Sequence, residues 1–233
     1  MSHDRLPMTI TAIIPARGGS KGIPGKNLRL ILGVPLISRS IAQALESGKV
    51  DRVLVSTDSE EIAHVARLAG AEVPGLRPAA LAGDETPTEP VLVHALEHWC
   101  SPQADDPVVL LQPTSPLRLP GSIDSAIEAF LTERADSLVS VCETHAFFWR
   151  NLGDPVASYD YSNRPRRQDI LPEHLLYREN GSIYIVKAGV LLEHKCRVFG
   201  RIILHRMSEC ESYEIDSETD FQIVEELLRR NGF

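Results

Sequence analysis

The chain has 233 residues, 43% of them hydrophobic, with a formal charge of -8. That length buries a full core in one large domain, and the acidic balance removes the Lys and Arg footprint that a nucleic-acid partner needs. No apolar run approaches the roughly 20 residues of a membrane span, and the start MSHDRLPMTI has no charged-then-apolar signal layout, so a cytoplasmic protein without membrane contact is the expectation.

In chain order, short β-rich apolar runs alternate with helical patterns. TITAIIPA reads as the first strand, LISRSIAQALES as a helix, RVLVSTD as a strand and EEIAHVARLAG as a helix that Asp58 or Ser59 caps and Gly70 stops. A helix over EPVLVHALEHW, a strand over VVLLQPTSP, a helix over SIDSAIEAFLTE and a strand over SLVSVCE follow. Continuous apolar strands mark sheets covered on both faces, so the order predicts βαβ units around a mainly parallel sheet, an α/β fold. From 143 to 178 the pattern breaks into an aromatic, basic, proline-punctuated excursion, the kind of long irregular segment that serves function or a partner. Strand, helix and strand return in GSIYIVKAGVLLEH and RIILHRM, and Ser217 with Asp220 opens a last helix. Cys100, Cys142, Cys196 and Cys210 have neither CxxC spacing nor finger-like histidines, so reduced thiols are expected.

Three segments carry chemistry. IIPARGGSKGIPGKN (13–27) follows the first strand, where α/β sheets bind ligands. Its glycines let the backbone approach a ligand, and Arg17, Lys21 and Lys26 add positive charge, which describes a polyphosphate cradle. It matches neither GxxxxGK[ST] nor GxGxxG, and an ordinary glycine-rich turn is the alternative. LLQPTSPLR (110–118) leaves a second strand. Gln112 offers an amide edge for a base or a sugar, with Ser115 and Arg118 as further contacts; a rigid proline turn is the other reading. In SYEIDSETD, Glu214 and Asp216 lie two apart on an expected strand end, so both carboxylates share a side and can hold a hard cation; capping of the following helix competes as an account of these acids.

Together these segments, with VSTD (55–58), LRPAALAGDETPT (76–88), YRENGSIYI (177–185) and EIDSETDF (214–221), resemble the acylneuraminate cytidylyltransferase family along nearly the whole chain. The resemblance implies a Rossmann-like nucleotidyltransferase fold, one domain over 1–233 with the excursion as a dimerisation and acceptor-site arm. It also implies CTP, Mg²⁺ and a nine-carbon 2-keto sugar acid as reactants and cofactor, with a CMP-sugar and pyrophosphate as products. By position, Arg17, Ser20, Lys21 and Lys26 would hold the triphosphate, Asn27 would lie at the nucleotide, and Arg77 and Thr88 would contact cytidine. Gln112, Arg150, Arg167, Gln168, Arg178, Asn180 and Tyr184 would face the acid, whose carboxylate suits guanidinium groups. Asp216 would bind the metal beside Glu214, and Lys21, Lys26, Arg17 and Asp216 would be the catalytic set. Two departures stand out: Glu214-Ile215-Asp216 replaces Asp-x-Asp, and THAFFWR, with Arg150 in place of a lysine, replaces a His-His-Pro-like turn. Alternatives are a nucleotidyltransferase for another acid such as Kdo, and a non-catalytic nucleotide-binding subunit of the same fold.

Overall fold

The computed structural model describes residues 8–19 and 22–231. Strands β1 (Thr11–Pro15), β2 (Leu30–Ile31) and β3 (Val34–Pro35) lead into helix α1 (Leu36–Leu45), followed by β4 (Arg52–Ser56), α2 (Glu60–Leu68) and α3 (Thr88–Trp99). Next come β5 (Pro107–Leu111), α4 (Ser122–Thr132), β6 (Ser137–Thr144), the short strands β7 (Trp149–Arg150) and β8 (Val156–Ala157), and β9 (Leu176–Lys187). Helix α5 (Ala188–His194), β10 (Ile202–Arg206) and α6 (Glu218–Asn231) complete the order.

Six strands form one sheet in the order β10-β6-β9-β5-β1-β4. Only β9 runs antiparallel to its neighbours β5 and β6; the β1–β4, β1–β5 and β6–β10 pairings are parallel. The continuous apolar runs feed both faces. Ala12 and Ile14 of β1, Val109 and Leu111 of β5, and Ile183 and Ile185 of β9 pack in one core with α1, α2 and α4. Ile13, Leu110, Tyr184 and Val186 from the same strands pack on α3 and α5 in the other. Period-two alternation therefore sends each strand's residues into two separate layers.

Chain reversal between β4 and β5, on opposite sides of β1, creates a switch point at the carboxyl ends of β1 and β5, where such sheets leave a crevice. A third cluster closes this end of the sheet: Ile23 from the first loop, Ile31, Leu36 and Leu117 pack against Ile215 and the α6 residues Phe221, Val224 and Leu228. The cap predicted for α2 resolves to Ser59, whose hydroxyl accepts from Ile62 N, and Gly70 takes the left-handed conformation at φ 95°. Two expectations shift. The excursion contracts to 145–175, because the β6–β9 ladder continues to Thr144 and Leu176. Tyr213–Ile215 lies in no strand and Asp216 begins a bend, so this is not a strand end; Ile215 N bonds Thr114 O while Ile215 itself plugs the third cluster.

Candidate active site

The first loop reaches the switch point because its turns are tied down one by one. Gly25 adopts a left-handed φ of 63° and starts the helical turn Lys26–Leu28. Asn27, 7% exposed, donates from Nδ2 to Arg17 O at 3.0 Å and so clips the two ends of the loop together. Gly22 passes so close to the Asp216 backbone that a Cβ there would meet Asp216 O at 2.6 Å. That close approach requires glycine, and it brings Lys26 within reach of the far end of the chain: Nζ donates to Ile215 O at 2.7 Å and lies 3.4 Å from Asp216 Oδ1.

A cleft of about 380 Å³ opens here, lined among others by Arg17, Lys26, Asn27, Arg77, Thr88, Gln112 and Asp216. Arg17 is ion-paired to Asp84 at 2.6 Å across its mouth. Arg77 is 5% exposed and 3.6 Å from Asp58, whose Oδ1 also accepts from Gly18 N at 3.0 Å. Burial pulls the Arg77 guanidinium below its ordinary pKa, opposed by Asp58. Asp58, a cap candidate and the end of the VSTD motif in the sequence, thus bridges the first loop to the cleft wall; Asp84 lies within the LRPAALAGDETPT motif but has no role assigned from sequence, because an acid on a loop carries no periodic signal.

The predicted acceptor residues divide. Gln112 lines the cleft, and its Oε1 lies 3.4 Å from Thr114 Oγ1. Tyr184, on β9 beside Leu110, donates its hydroxyl to Glu179 at 3.0 Å; burial first, then that bond, pushes it up to about 12. Asn180 is fully buried, its amide joined to Ser140 and Ser212. Arg178 is exposed and donates to Ser212 O, while Arg150, Arg167 and Gln168 lie exposed on the arm, outside the cleft lining. Ser20 and Lys21 fall outside the described residues. Ser115 and Arg118 do not line the cleft: Arg118 is 1% exposed and its guanidinium bonds Gln112 O, Ser182 O, Ser40 and Gln43, with burial lowering its pKa to about 9.

Glu214 and Asp216 form a pair. Burial first, then the Asp216 charge, raises the Glu214 carboxyl above its ordinary pKa, against the pull of Arg178 and Lys26. Its Oε1 occupies space that only a glycine leaves at position 181, where a Cβ would come within 1.8 Å. Among the described residues no three His, Cys, Asp or Glu side chains converge as a metal cage. Of the two, Asp216 lines the cleft and Glu214 does not; a single exposed carboxylate with a half-buried one behind it suits a cation that keeps water and substrate oxygens as its other ligands, the habit of Mg²⁺.

Sheet order, switch-point cleft and cationic first loop define a nucleotidyltransferase fold. A solved CMP-2-keto-3-deoxy-manno-octonic acid synthetase complexed with CTP superposes with a TM-score of 0.72 at 18% identity, over 96% of this chain and 99% of that one. A 4-diphosphocytidyl-2C-methyl-D-erythritol synthase does so at 0.69 and 15%, over 96% and 100%; at these identities the likeness concerns the fold alone. A family model described as cytidylyltransferase matches residues 11–227, and the chain belongs to that family. CMP-N,N'-diacetyllegionaminic acid synthase of Legionella pneumophila is 38% identical, covering 96% of this chain and 98% of that protein. N-acylneuraminate cytidylyltransferase A of Danio rerio is 34% identical over 96% of this chain, which spans 52% of that protein. The resemblance read from the linked motifs is borne out by these relatives.

Proposed function

We propose that the protein transfers the cytidylyl group of CTP to the anomeric hydroxyl of a nine-carbon 2-keto sugar acid, forming a CMP-sugar and pyrophosphate. One observation carries this reading: Lys26 from the first loop and Asp216 from the far end of the chain meet in one cleft at the sheet's switch point. The names of the relatives support a legionaminic- or neuraminic-type acid as acceptor.

In such a transfer the leaving pyrophosphate gains negative charge, so positioning and charge neutralisation dominate. Arg17, Lys26 and, in the stretch not described, Ser20 and Lys21 would hold the phosphates. Asn27 keeps the loop folded over them, and Arg77 and Thr88 face the nucleoside. Gln112, Arg178, Asn180 and Tyr184 belong to the acceptor side, Asn180 through the strand it fixes. Asp216 with Glu214 would hold Mg²⁺, which when bound supplies neutralisation of phosphate oxygens and acidification of the acceptor hydroxyl. Arg150, Arg167 and Gln168 reach an acceptor only from a partner's arm, so the working unit is a homodimer in this reading.

Pyrophosphate release measured with CTP, Mg²⁺ and each of a panel of sugar acids tests the assignment. Release with N-acetylneuraminic, legionaminic or pseudaminic acid is expected. Release without any acid, or only with a sugar phosphate, rejects it; turnover of Kdo alone moves the protein to that rival class.

A further inference from the structure

Arg118 is the largest fully buried side chain among the described residues, and no carboxylate of those residues bonds its guanidinium. All five of its N–H donors go to neutral oxygens. Nη2 donates to Ser182 O at 2.7 Å and to Gln112 O at 2.8 Å, Nε to Ser182 O at 3.3 Å, and Nη1 to Ser40 Oγ and Gln43 Oε1, each at 3.1 Å. Gln43 of α1 answers from Nε2, donating to Pro116 O at 2.7 Å and Arg118 O at 3.2 Å, so the loop after β5 is tied down on that helix.

A cation sealed away without a counter-charge in contact is costly, and what it holds explains its presence. The antiparallel β5–β9 ladder ends at the Leu111–Ile183 pair, so Gln112 and Ser182 would form the next rung. In its place stands the Arg118 fork, planar and wide enough to take both carbonyls at once, which an ammonium point charge does less well. Both carbonyls belong to residues that border the site. Gln112 lines the cleft. Ser182 follows Gly181, where the missing Cβ makes room for the Glu214 carboxylate, and the β9 pairing with β6 is irregular at this level, shifting register between Val139 and Val141. We propose that Arg118 is a positioning residue: its fork extends the β5–β9 ladder by one rung and thereby fixes the Gln112 amide in the cleft relative to the Glu214–Asp216 segment. This rests on the cytidylyl-transfer reading above, in which Gln112 meets the sugar acid.

The test uses the full-length protein with CTP, Mg²⁺ and a sugar acid that the wild type turns over. Arg118→Lys keeps the charge and loses the fork, and kcat/KM for the acid falls by about tenfold or more while the KM for CTP is unchanged. In a Gln112→Ala background, which lacks the amide to be positioned, the same Arg118→Lys change costs little further, so the two effects are not additive. Should Arg118→Lys fail to fold, Gln43→Met serves, because it frees Nη1 and the loop carbonyls; the same split between acid and CTP and the same coupling to Gln112 are expected. Additive effects, an equal loss toward CTP and the acid, or a lowered urea midpoint with unaltered kinetics overturns the positioning role alone. Absence of pyrophosphate release by the wild type with every acid overturns the assigned reaction, and this role with it.

Discussion

Lys26 has three N–H donors on one ammonium, and two visible partners: the Ile215 carbonyl and the Asp216 carboxylate. The side chain is 14% exposed, so its charge is only partly screened where the phosphates would lie. Lys26→Met therefore has two separable effects. Removing a cation aimed at developing charge lowers kcat on the order of 10²-fold, by analogy with the loss of a single oxyanion donor. Leaving the Ile215 carbonyl without its donor lowers stability by about 1 kcal/mol. Pyrophosphate-release kinetics and urea unfolding read the two independently; a variant with full kcat removes Lys26 from the reaction. Residue type and position were enough to mark this lysine from sequence, because cations in a glycine-rich strand exit have few structural uses. Arg118 misled for the same reason: it too follows a strand exit, yet the chain folds it inward to bond Gln112 O and Ser182 O.

The turn Cys210–Ser212 holds the approach to the acidic segment through Glu211, which is 4% exposed. Its carboxylate accepts from Leu119 N, Ser122 Oγ, Ser208 N and Ser208 Oγ, fastening this turn to the start of α4. Burial alone would raise its pKa, but these donors outweigh it, and the carboxyl titrates below its ordinary range. A depressed folded pKa gives stability that is present above the unfolded value and is lost as pH falls through the folded one. Glu211→Gln is thus less stable than the wild type at pH 7, and the difference closes as pH drops below about 4. Urea midpoints measured across that range check it; a gap that persists undiminished in acid contradicts the assignment. Nothing in the sequence announced Glu211, because two of its four donors, Leu119 N and Ser122 Oγ, come from a segment far away in the chain. The helices and sheet strands, by contrast, were legible from apolar period and from caps such as Ser217 and Asp220, whose reciprocal bonds open α6. Periodicity is a local property, whereas the irregular run Tyr213–Asp216 is placed by Ile215 filling a distant cluster.

At the scale of the molecule, that cluster makes the two ends of the chain meet. Ile23 in the first loop and Ile215 between the two acids pack into one small core with α6, and Arg29 lies 4.1 Å over the Phe221 ring. Cleft residues from 17 to 216 are thereby gathered on one side, while Arg150, Arg167 and Gln168 remain on an arm outside it. The arm presents Phe148, Trp149, Leu152 and Tyr161 to solvent, with Leu152 fully exposed. Exposed apolar side chains of this kind mark a contact, and in the proposed homodimer the stray acceptor residues would give that contact a purpose: the arm of one protomer would complete the site of its partner. Light scattering at micromolar concentration is expected to give twice the chain mass. Replacing Trp149 and Tyr161 together with Ser is expected to give a monomer that still binds CTP, because Arg17, Lys26, Arg77 and Asp216 are contributed by a single chain. The KM for the sugar acid rises by about tenfold or more, the loss of a charged hydrogen bond to its carboxylate. A monomeric wild type with full turnover refutes both the dimer and the shared site, whereas a monomeric double variant with unaltered KM for the acid keeps the dimer and removes the arm from the chemistry.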